Sequence, residues 1–304
     1  MNGFLVVDKP VGATSHDIVA LVRKRFGVKK VGHTGTLDPF ATGVLPIAIG
    51  EGTKAIPFLD EGVKEYRAVM RLGLVTDTGD CTGTVIRTRA WEHLDRSAIE
   101  KVLPCFTGSI SQVPPMYSAL KRNGVPLYKL ARRGETVERE PRSVTIHALT
   151  IEDVAFPDVT LLVSCSRGTY VRTLAEDLGE KLGCGAHLVQ LRRLRSGPFT
   201  IDKAVTVEEL ALLSAGQGLT DTLISPYAAL SHLRDLRLTG QGVARLAFGA
   251  VPDECDWIGD SLDLQPGEAV RLSFEGKLAA VAERRSGPCA GGGKESLRLL
   301  RVFN

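Results

Sequence analysis

One aspartate, Asp38, lies in a segment whose composition suits catalysis. The segment Gly32–Gly43 is rich in glycine and threonine, and Pro39 directly follows the aspartate. Glycines permit an unusual backbone path, and a following proline biases Asp38 towards an extended conformation. A carboxylate projected in this way can act as a nucleophile or as a general base. An Asp-Pro pair is equally typical of a plain turn, so these residues alone leave both roles open.

Other kinds of chemistry find less support in the chain. No Gly-Lys-Ser/Thr of a P-loop and no GxGxxG pattern occurs, so Gly32–Gly43 does not match a nucleotide-binding loop. The six cysteines (81, 105, 165, 184, 255 and 289) lie too far apart in sequence for a zinc knuckle or a redox pair. We therefore expect no metal and no cofactor.

Positive charge is concentrated in three segments of the first three quarters of the chain. Residues 23–30 hold five cations and no acid, residues 121–142 hold seven cations against three acids, and residues 192–195 hold three arginines. From residue 231 onwards the chain carries ten charges of each sign. Any one of these clusters can be a solvated helix face. Three together favour a polyanionic partner such as a nucleic acid.

The chain ends and the apolar runs point to the cytoplasm. The apolar stretch at the N-terminus contains Asp8 and Lys9, which is not typical of a signal peptide. No apolar run approaches the roughly 18 residues needed to span a membrane. At 304 residues the chain is long for a single core, so a large domain and a smaller one are expected.

Local patterns predict an α+β fold: a mainly antiparallel mixed sheet flanked by helices, with a small β-rich C-terminal domain. Strands and helices alternate without a βαβ rhythm. We expect domains at 1–230 and 231–304, and a loop over Gly32–Gly43. The remaining elements are a helix capped by Thr14 or Ser15 that ends at Gly27, a strand Lys64–Leu72 containing Tyr66, a helix Thr169–Leu182 containing Arg172, and a strand Leu188–Leu194.

The segment Gly32–Gly43 closely resembles the aspartate motif of the tRNA pseudouridine-55 synthase family. Four further blocks resemble motifs of the same family: Val7–Gly12 with Thr14–Asp17, Glu65-Tyr66 with Leu72-Gly73 and Thr76–Asp80, Gln112–Ala119, and Gly168–Leu174. All five occur in the family's order over about residues 4 to 195. Their number and order make the resemblance specific, and the chain departs from the family at no position used for chemistry.

The resemblance implies a role for three residues in the reaction. Asp38 would be the essential carboxylate that attacks a uridine, and Arg172 would pair with it and lower its pKa. Tyr66 would lie against the uracil ring and could take part in removing the C5 proton. Without the resemblance, Tyr66 would be a half-buried strand aromatic and Arg172 a surface residue of a helix.

Four residues would support substrate binding. His33 would replace the extracted base in the RNA stack, Lys9 and Leu191 would line and support the pocket, and Tyr170 lies in the arginine motif. For Leu191 the sequence does not separate a core residue from a pocket residue, because a buried leucine at the edge of the pocket is both.

The implied substrate is the uridine in the T-arm loop of tRNA, bound by base flipping. The insertion at 111–142 would grip the RNA, the three basic segments would contact phosphates, and the C-terminal domain resembles the PUA type. We expect a monomer without an obligate protein partner. The alternatives are a guide-RNA-dependent synthase of the dyskerin group, a tRNA-binding chaperone without essential catalysis, and a glycoside hydrolase, which would need a second carboxylate.

Overall fold

The computed structural model describes residues 1–60, 62–213, 217–259, 264–285 and 297–303. The α-helices are α1 (Ser15–Phe26), α2 (Gly52–Ala55), α3 (Arg96–Val102), α4 (Leu127–Ala131), α5 (Val171–Lys181), α6 (Val207–Leu212), α7 (Gln217–Thr222), α8 (Pro226–Ala229) and α9 (Gly240–Ala247). The strands are β1 (Gly3–Lys9), β2 (Val31–His33), β3 (Thr42–Ile49), β4 (Val63–Leu72), β5 (Leu74–Thr76), β6 (Val85–Thr88), β7 (Gly108–Gln112), β8 (Lys121–Arg122), β9 (Val125–Pro126), β10 (Arg142–Ala155), β11 (Asp158–Ser166), β12 (Ala186–Ser196), β13 (Phe199–Thr200), β14 (Arg234–Leu238), β15 (Trp257–Ile258), β16 (Ala269–Phe274), β17 (Lys277–Arg284) and β18 (Leu297–Val302).

A large mixed sheet forms the centre of the molecule. Its strands follow the order β1-β3-β12-β4-β11-β10-β7, with β2 paired to β3 and β13 paired to β12. Neighbours in this sheet are antiparallel except β3 and β12, which run parallel. The predicted α+β class with a mainly antiparallel mixed sheet is therefore confirmed.

Alternation along β1 shows how this sheet is covered on both faces. Leu5 and Val7 join the core that contains α1 and α5, whereas Phe4 and Val6 join a second core with Leu278 and other apolar residues of the C-terminal region. Successive side chains of a strand point to opposite faces. Helices α1 and α5 therefore lie on one face of β1, and the C-terminal sheet lies on the other together with α2 and α8.

Helix α1 begins and ends where its sequence predicts. The Thr14 side chain accepts a hydrogen bond from the Asp17 backbone amide, and the Asp17 side chain accepts one from the Thr14 amide, which forms a capping box. At the other end, Gly27 has φ 64°, the left-handed conformation that favours glycine. The helix packs its apolar side against β2 and β3 and so supports the segment that leads to Asp38.

The loop predicted over Gly32–Gly43 is shorter than expected. Its first two residues belong to β2, and its last two begin β3. Backbone pairing with β3 extends β2 to His33, which the glycine and threonine content of the segment did not indicate. The loop proper therefore covers residues 34–41, and Asp38 lies in its middle.

The C-terminal region forms a sheet of its own. Among the described residues its order is β15-β14-β16-β17-β18, with helix α9 beside β14 and β17. This agrees with the predicted β-rich C-terminal region. No helix in the described part of the chain is long and apolar enough to cross a membrane.

Candidate active site

A cavity of about 180 Å³ opens beside the loop that carries Asp38. Five of the seven site residues predicted from the sequence line it, namely Asp38, Tyr66, Tyr170, Arg172 and Leu191. The other lining residues are Thr36, Leu37, Lys64, Ser118, Ala119, Gly168, Thr169, Val171 and Arg193. The fold therefore brings together residues from β4, β12, the start of α5 and the insertion around a single carboxylate.

The backbone on both sides of Asp38 is held by hydrogen bonds. The amide of Leu37 donates to the hydroxyl of Ser15 at 2.9 Å, and that hydroxyl donates to the Leu37 carbonyl at 3.2 Å. On the other side, the Pro39 carbonyl accepts from the Gly12 amide at 2.8 Å. Because Ser15 starts α1, the helix and the turn after β1 together fix the position of the carboxylate.

Arg172 pairs with Asp38 and is itself almost completely buried. Its Nε donates to the Asp38 carboxylate at 2.9 Å, and its Nη atoms donate to the carbonyls of Thr78 at 2.9 Å and Tyr117 at 2.7 Å. The Asp80 carboxylate lies 3.8 Å from Nε. Only 3% of the Arg172 side chain is exposed, against 35% for Asp38. The guanidinium is therefore held in place by the protein, and the carboxylate is the more exposed partner at the cavity.

The expected direction of the Asp38 pKa shift is wrong. Burial of the carboxyl raises its pKa above the ordinary value, and the opposing effect of Arg172 does not reverse this rise. The guanidinium is shared with two carbonyls and with Asp80, whose negative charge also acts to raise the pKa of Asp38. Loss of water around the carboxyl consequently outweighs the ion pair. A raised pKa makes the ionised carboxylate a stronger base than an ordinary aspartate.

Tyr66 lies on β4 opposite Arg193 of β12 and is nearly completely buried. Burial raises the pKa of its hydroxyl, while the nearby Arg193 guanidinium lowers it. The phenol is therefore neutral around pH 7 and presents its ring to the cavity. The alternation in β4 places Tyr66 on the same face as Ala68 and Met70, as the sequence pattern predicts.

Arg193 is a site residue that the sequence analysis assigned to phosphate contact. It is the largest fully buried side chain described, and its guanidinium donates to the carbonyls of Val44 at 2.7 Å and Gly35 at 3.1 Å. A buried arginine of this kind holds the loop before Asp38 and cannot grip RNA. No local sequence pattern indicates this burial. In the structure Gly43 packs against the Arg193 backbone, where a Cβ would lie 2.2 Å from the Arg193 carbonyl oxygen.

The neighbouring arginines of this cluster are also engaged by acids. Arg192 forms a bidentate ion pair with Asp8, with N–O distances of 2.6 and 3.1 Å, and the Arg195 guanidinium lies 3.4 Å from the Glu65 carboxylate. The expected phosphate-binding role of residues 192–195 is therefore wrong for the buried Arg193. For Arg192 and Arg195, whose side chains are 39% and 44% exposed, it stays a prediction.

Lys9 and His33 do not line the cavity. Lys9 is fully buried behind the loop, where its Nζ donates to the carbonyls of Ala13 at 2.8 Å, Pro10 at 2.9 Å and Pro39 at 3.3 Å. Burial lowers its pKa to about 8. His33 is half-buried and contacts His16 edge-on, with ring centroids 5.3 Å apart. Burial, and then the nearby His16, lower the pKa of His33, so a neutral ring is favoured.

Gln112 connects the insertion to helix α5, and the sequence analysis did not identify it as a site residue. Its buried side-chain amide donates to the Tyr170 carbonyl at 3.1 Å and accepts from the Tyr170 amide at 2.8 Å. Tyr170 immediately precedes α5, so Gln112 helps to fix the start of the helix that carries Arg172. Burial raises the pKa of the Tyr170 hydroxyl.

A larger cavity of about 530 Å³ shares Leu191 with the first. Its lining includes the apolar side chains of Val11 and Phe40 and the arginines Arg67 and Arg192. The two cavities share only this leucine among their lining residues, and Arg67 and Val69 place most of the larger cavity on the face of β4 opposite Tyr66.

Comparisons with known proteins show the family to which the chain belongs. Residues 23–171 match the family model described as TruB family pseudouridylate synthase (N terminal domain), and residues 172–235 match tRNA pseudouridylate synthase B C-terminal domain. The tRNA pseudouridine synthase B of Geotalea uraniireducens is 56% identical over 100% of this chain and 98% of the relative. The protein of the same name from Geobacter sulfurreducens is 54% identical over 100% of both chains.

A solved structure supports the same fold. One chain of a crystal structure of a Cbf5-Nop10-Gar1 complex superposes with a TM-score of 0.76 at 26% identity, covering 99% of this chain and 85% of that one. Fold, site and relatives define the class of protein: a pseudouridylate synthase, an isomerase that converts uridine to pseudouridine. Within this class, the chain belongs to the TruB family.

Proposed function

We propose that this protein isomerises the uridine in the T-arm loop of tRNA to pseudouridine, with Asp38 as the attacking carboxylate. The observation that carries the proposal is the Asp38–Arg172 pair at 2.9 Å, at the edge of a cavity that Tyr66 and Leu191 also line. The relatives named tRNA pseudouridine synthase B support tRNA as the substrate.

The reaction needs only groups that the site contains. The N1 glycosidic bond of the uridine breaks, the uracil turns, a bond forms between C5 and the sugar, the C5 proton leaves and N1 gains a proton. Asp38 supplies the nucleophile, and Arg172 stabilises its ionised form. Tyr66 would stack against the ring, and its hydroxyl would take part in removal of the C5 proton.

The target base must leave the RNA stack to reach Asp38, which costs a few kcal/mol. We propose that His33 fills the space of the extracted base, since it lies outside the cavity on the short strand that leads to the loop. Lys9 would support the loop behind the pocket, and Leu191 would form part of the pocket wall. Tyr170 would contact the bound nucleotide.

Positive surfaces around the site suit the RNA backbone. Lys24, Lys29 and Lys30 are exposed near the end of α1, and the insertion at 111–142 carries several exposed cations. We propose that the catalytic domain covers 1–230 and that 231–304 forms a PUA-type RNA-binding domain. The five-stranded C-terminal sheet and its separate core support this division.

Tritium release from 5-labelled uridine in a tRNA transcript tests the proposal. We expect wild type to release label without added protein or guide RNA, and Asp38→Asn to release none. A requirement for a guide RNA would favour the dyskerin-like alternative. Tight binding of tRNA without release by wild type would favour the chaperone. Moving the uridine out of the T-arm should abolish release, and unchanged release would contradict the T-arm assignment.

We further propose that the protein acts in the cytoplasm as a monomer. No symmetric hydrophobic repeat in the sequence suggests self-association. Sedimentation at micromolar concentration should give a single species of about the 32.7 kDa chain mass, and a dimer would refute the assignment.

A further inference from the structure

Glu176 is a half-buried carboxylate next to the catalytic arginine for which the proposed reaction gives no role. It lies on α5 four residues after Arg172, so both side chains project from the same side of the helix. Its carboxylate packs against Gly79, where a Cβ would lie only 2.1 Å from Oε1. Gly79 stands between Thr78, whose carbonyl accepts from Arg172, and Asp80. Glu176 therefore contacts the segment that orients the guanidinium.

Two polar groups near this point lack a hydrogen-bond partner in the described part of the chain. None of the described donors reaches the Glu176 carboxylate within hydrogen-bond distance. The Nε of Arg139 is buried and has no acceptor there, although its Nη1 donates to the Pro114 carbonyl at 3.1 Å. Arg139 and Pro114 both belong to the insertion. A buried donor without an acceptor costs about 1–3 kcal/mol, so a small movement that satisfies it is favourable.

The ionisation of the Glu176 carboxyl depends on the charged groups around it. Arg172 and Arg139 attract its negative charge, while Asp177 on the same helix and Asp80 repel it. Burial is the largest influence and raises the pKa of Glu176 to about 7. At pH 7 the carboxyl is thus about half ionised, and a closer approach of Arg139 would complete its ionisation.

We propose, on the basis of the proposed function, that Glu176 is a positioning residue that binds Arg139 when the insertion closes over the RNA. The Arg139 Nε–H donates to the Glu176 carboxylate in the closed state. This contact holds the insertion down over the bound RNA. It acts on RNA binding, because Glu176 touches neither Asp38 nor the cavity beside it.

The linkage predicts a pH dependence in RNA binding rather than in chemistry. Between pH 8 and pH 6, a carboxyl with a pKa of about 7 changes from about 90% to about 10% ionised. The KM of wild type for tRNA should therefore rise as the pH falls, by roughly fivefold for a partly buried contact of this type. The kcat should change much less over the same range.

The test compares steady-state kinetics of wild type and Glu176→Gln by tritium release at pH 6, 7 and 8. Glutamine keeps the size of the side chain and removes its charge. At pH 8 we expect the variant to show a KM roughly fivefold above wild type, and the KM should not change between pH 8 and pH 6. Glu176→Asp keeps the charge, should retain the pH dependence, and serves as the second variant if Glu176→Gln unfolds.

A double-mutant cycle with Arg139→Gln separates this contact from a general loss of positive charge. The double variant should be no worse than either single variant. Arg133→Gln is the matched control, because Arg133 is an exposed arginine of the same insertion and lies 3.9 Å from Glu135. Its effect should add to that of Glu176→Gln. Additive effects of Arg139→Gln, or a pH dependence of KM unchanged in Glu176→Gln, would overturn the inference. Absence of activity in wild type would instead refute the proposed function.

Discussion

Removing the positive charge of Arg172 should shift the pH dependence of catalysis towards higher pH. We propose that Asp38 reacts as a carboxylate, so activity should fall as the pH falls through its pKa. Burial already raises this pKa, and Arg172 opposes the rise. An arginine at 2.9 Å lowers a carboxyl pKa by roughly 1–3 units. In Arg172→Met the acid inflection of kcat should therefore move up by about 1–3 units.

The size of this shift translates directly into rate. Each unit corresponds to about 1.4 kcal/mol, or a tenfold loss of the ionised fraction at a pH below the inflection. Arg172→Lys should show a smaller shift, because the ammonium keeps the charge but loses the fork that reaches the carbonyls of Thr78 and Tyr117. Both variants should lose thermal stability, since those two buried carbonyls lose their donors, at about 1–3 kcal/mol each.

The assay is single-turnover tritium release between pH 5 and pH 9, with circular dichroism at each pH to confirm that the variants are folded. Arg71→Met is the matched control: it removes an arginine paired with an aspartate at 2.7 Å, and Arg71 does not line the cavity. Its pH profile should match that of wild type. An inflection in Arg172→Met that stays in place or moves to lower pH would refute the electrostatic role assigned to Arg172.

Three further substitutions test other parts of the site. Asp38→Asn should lose at least about 10³-fold in activity. Its melting temperature at pH 7 should nevertheless be no lower than that of wild type, because burial disfavours the charged carboxyl in the folded state. A clear drop in melting temperature would contradict this account. In urea titrations we expect the stability of wild type to rise between about pH 8 and pH 10.5, since a folded-state pKa of about 8 for Lys9 means that the unfolded chain binds more protons in this window. Lys9→Met should flatten this rise, and an unchanged slope would place the Lys9 titration elsewhere. Gly43→Ala should lower the melting temperature of the protein more than Gly108→Ala. Both glycines have a positive φ, but only at Gly43 would a Cβ lie 2.2 Å from the Arg193 carbonyl oxygen. Equal decreases in melting temperature would show that the β3–β12 contact relaxes freely.

Much of the fold could be predicted from local patterns. The capping box at Thr14 and the glycine at position 27 define α1, because the residues that satisfy a helix end are its immediate neighbours. The alternation in β4 likewise determines that Tyr66 and Met70 share a buried face. The order of the strands and the parallel pair β3–β12 involve residues far apart in sequence, which no local pattern specifies.

The sequence by itself determined the family, the carboxylate at position 38, and the residue types that could accompany it. Only the tertiary structure decided which charges face solvent and which are buried. Arg192 and Arg193 are adjacent in one basic run, yet the first pairs with Asp8 at the surface and the second is buried under the catalytic loop. The direction of the Asp38 pKa shift was settled in the same way. Desolvation and charge–charge interactions depend on distances through space, and the chain sets those distances only when it folds.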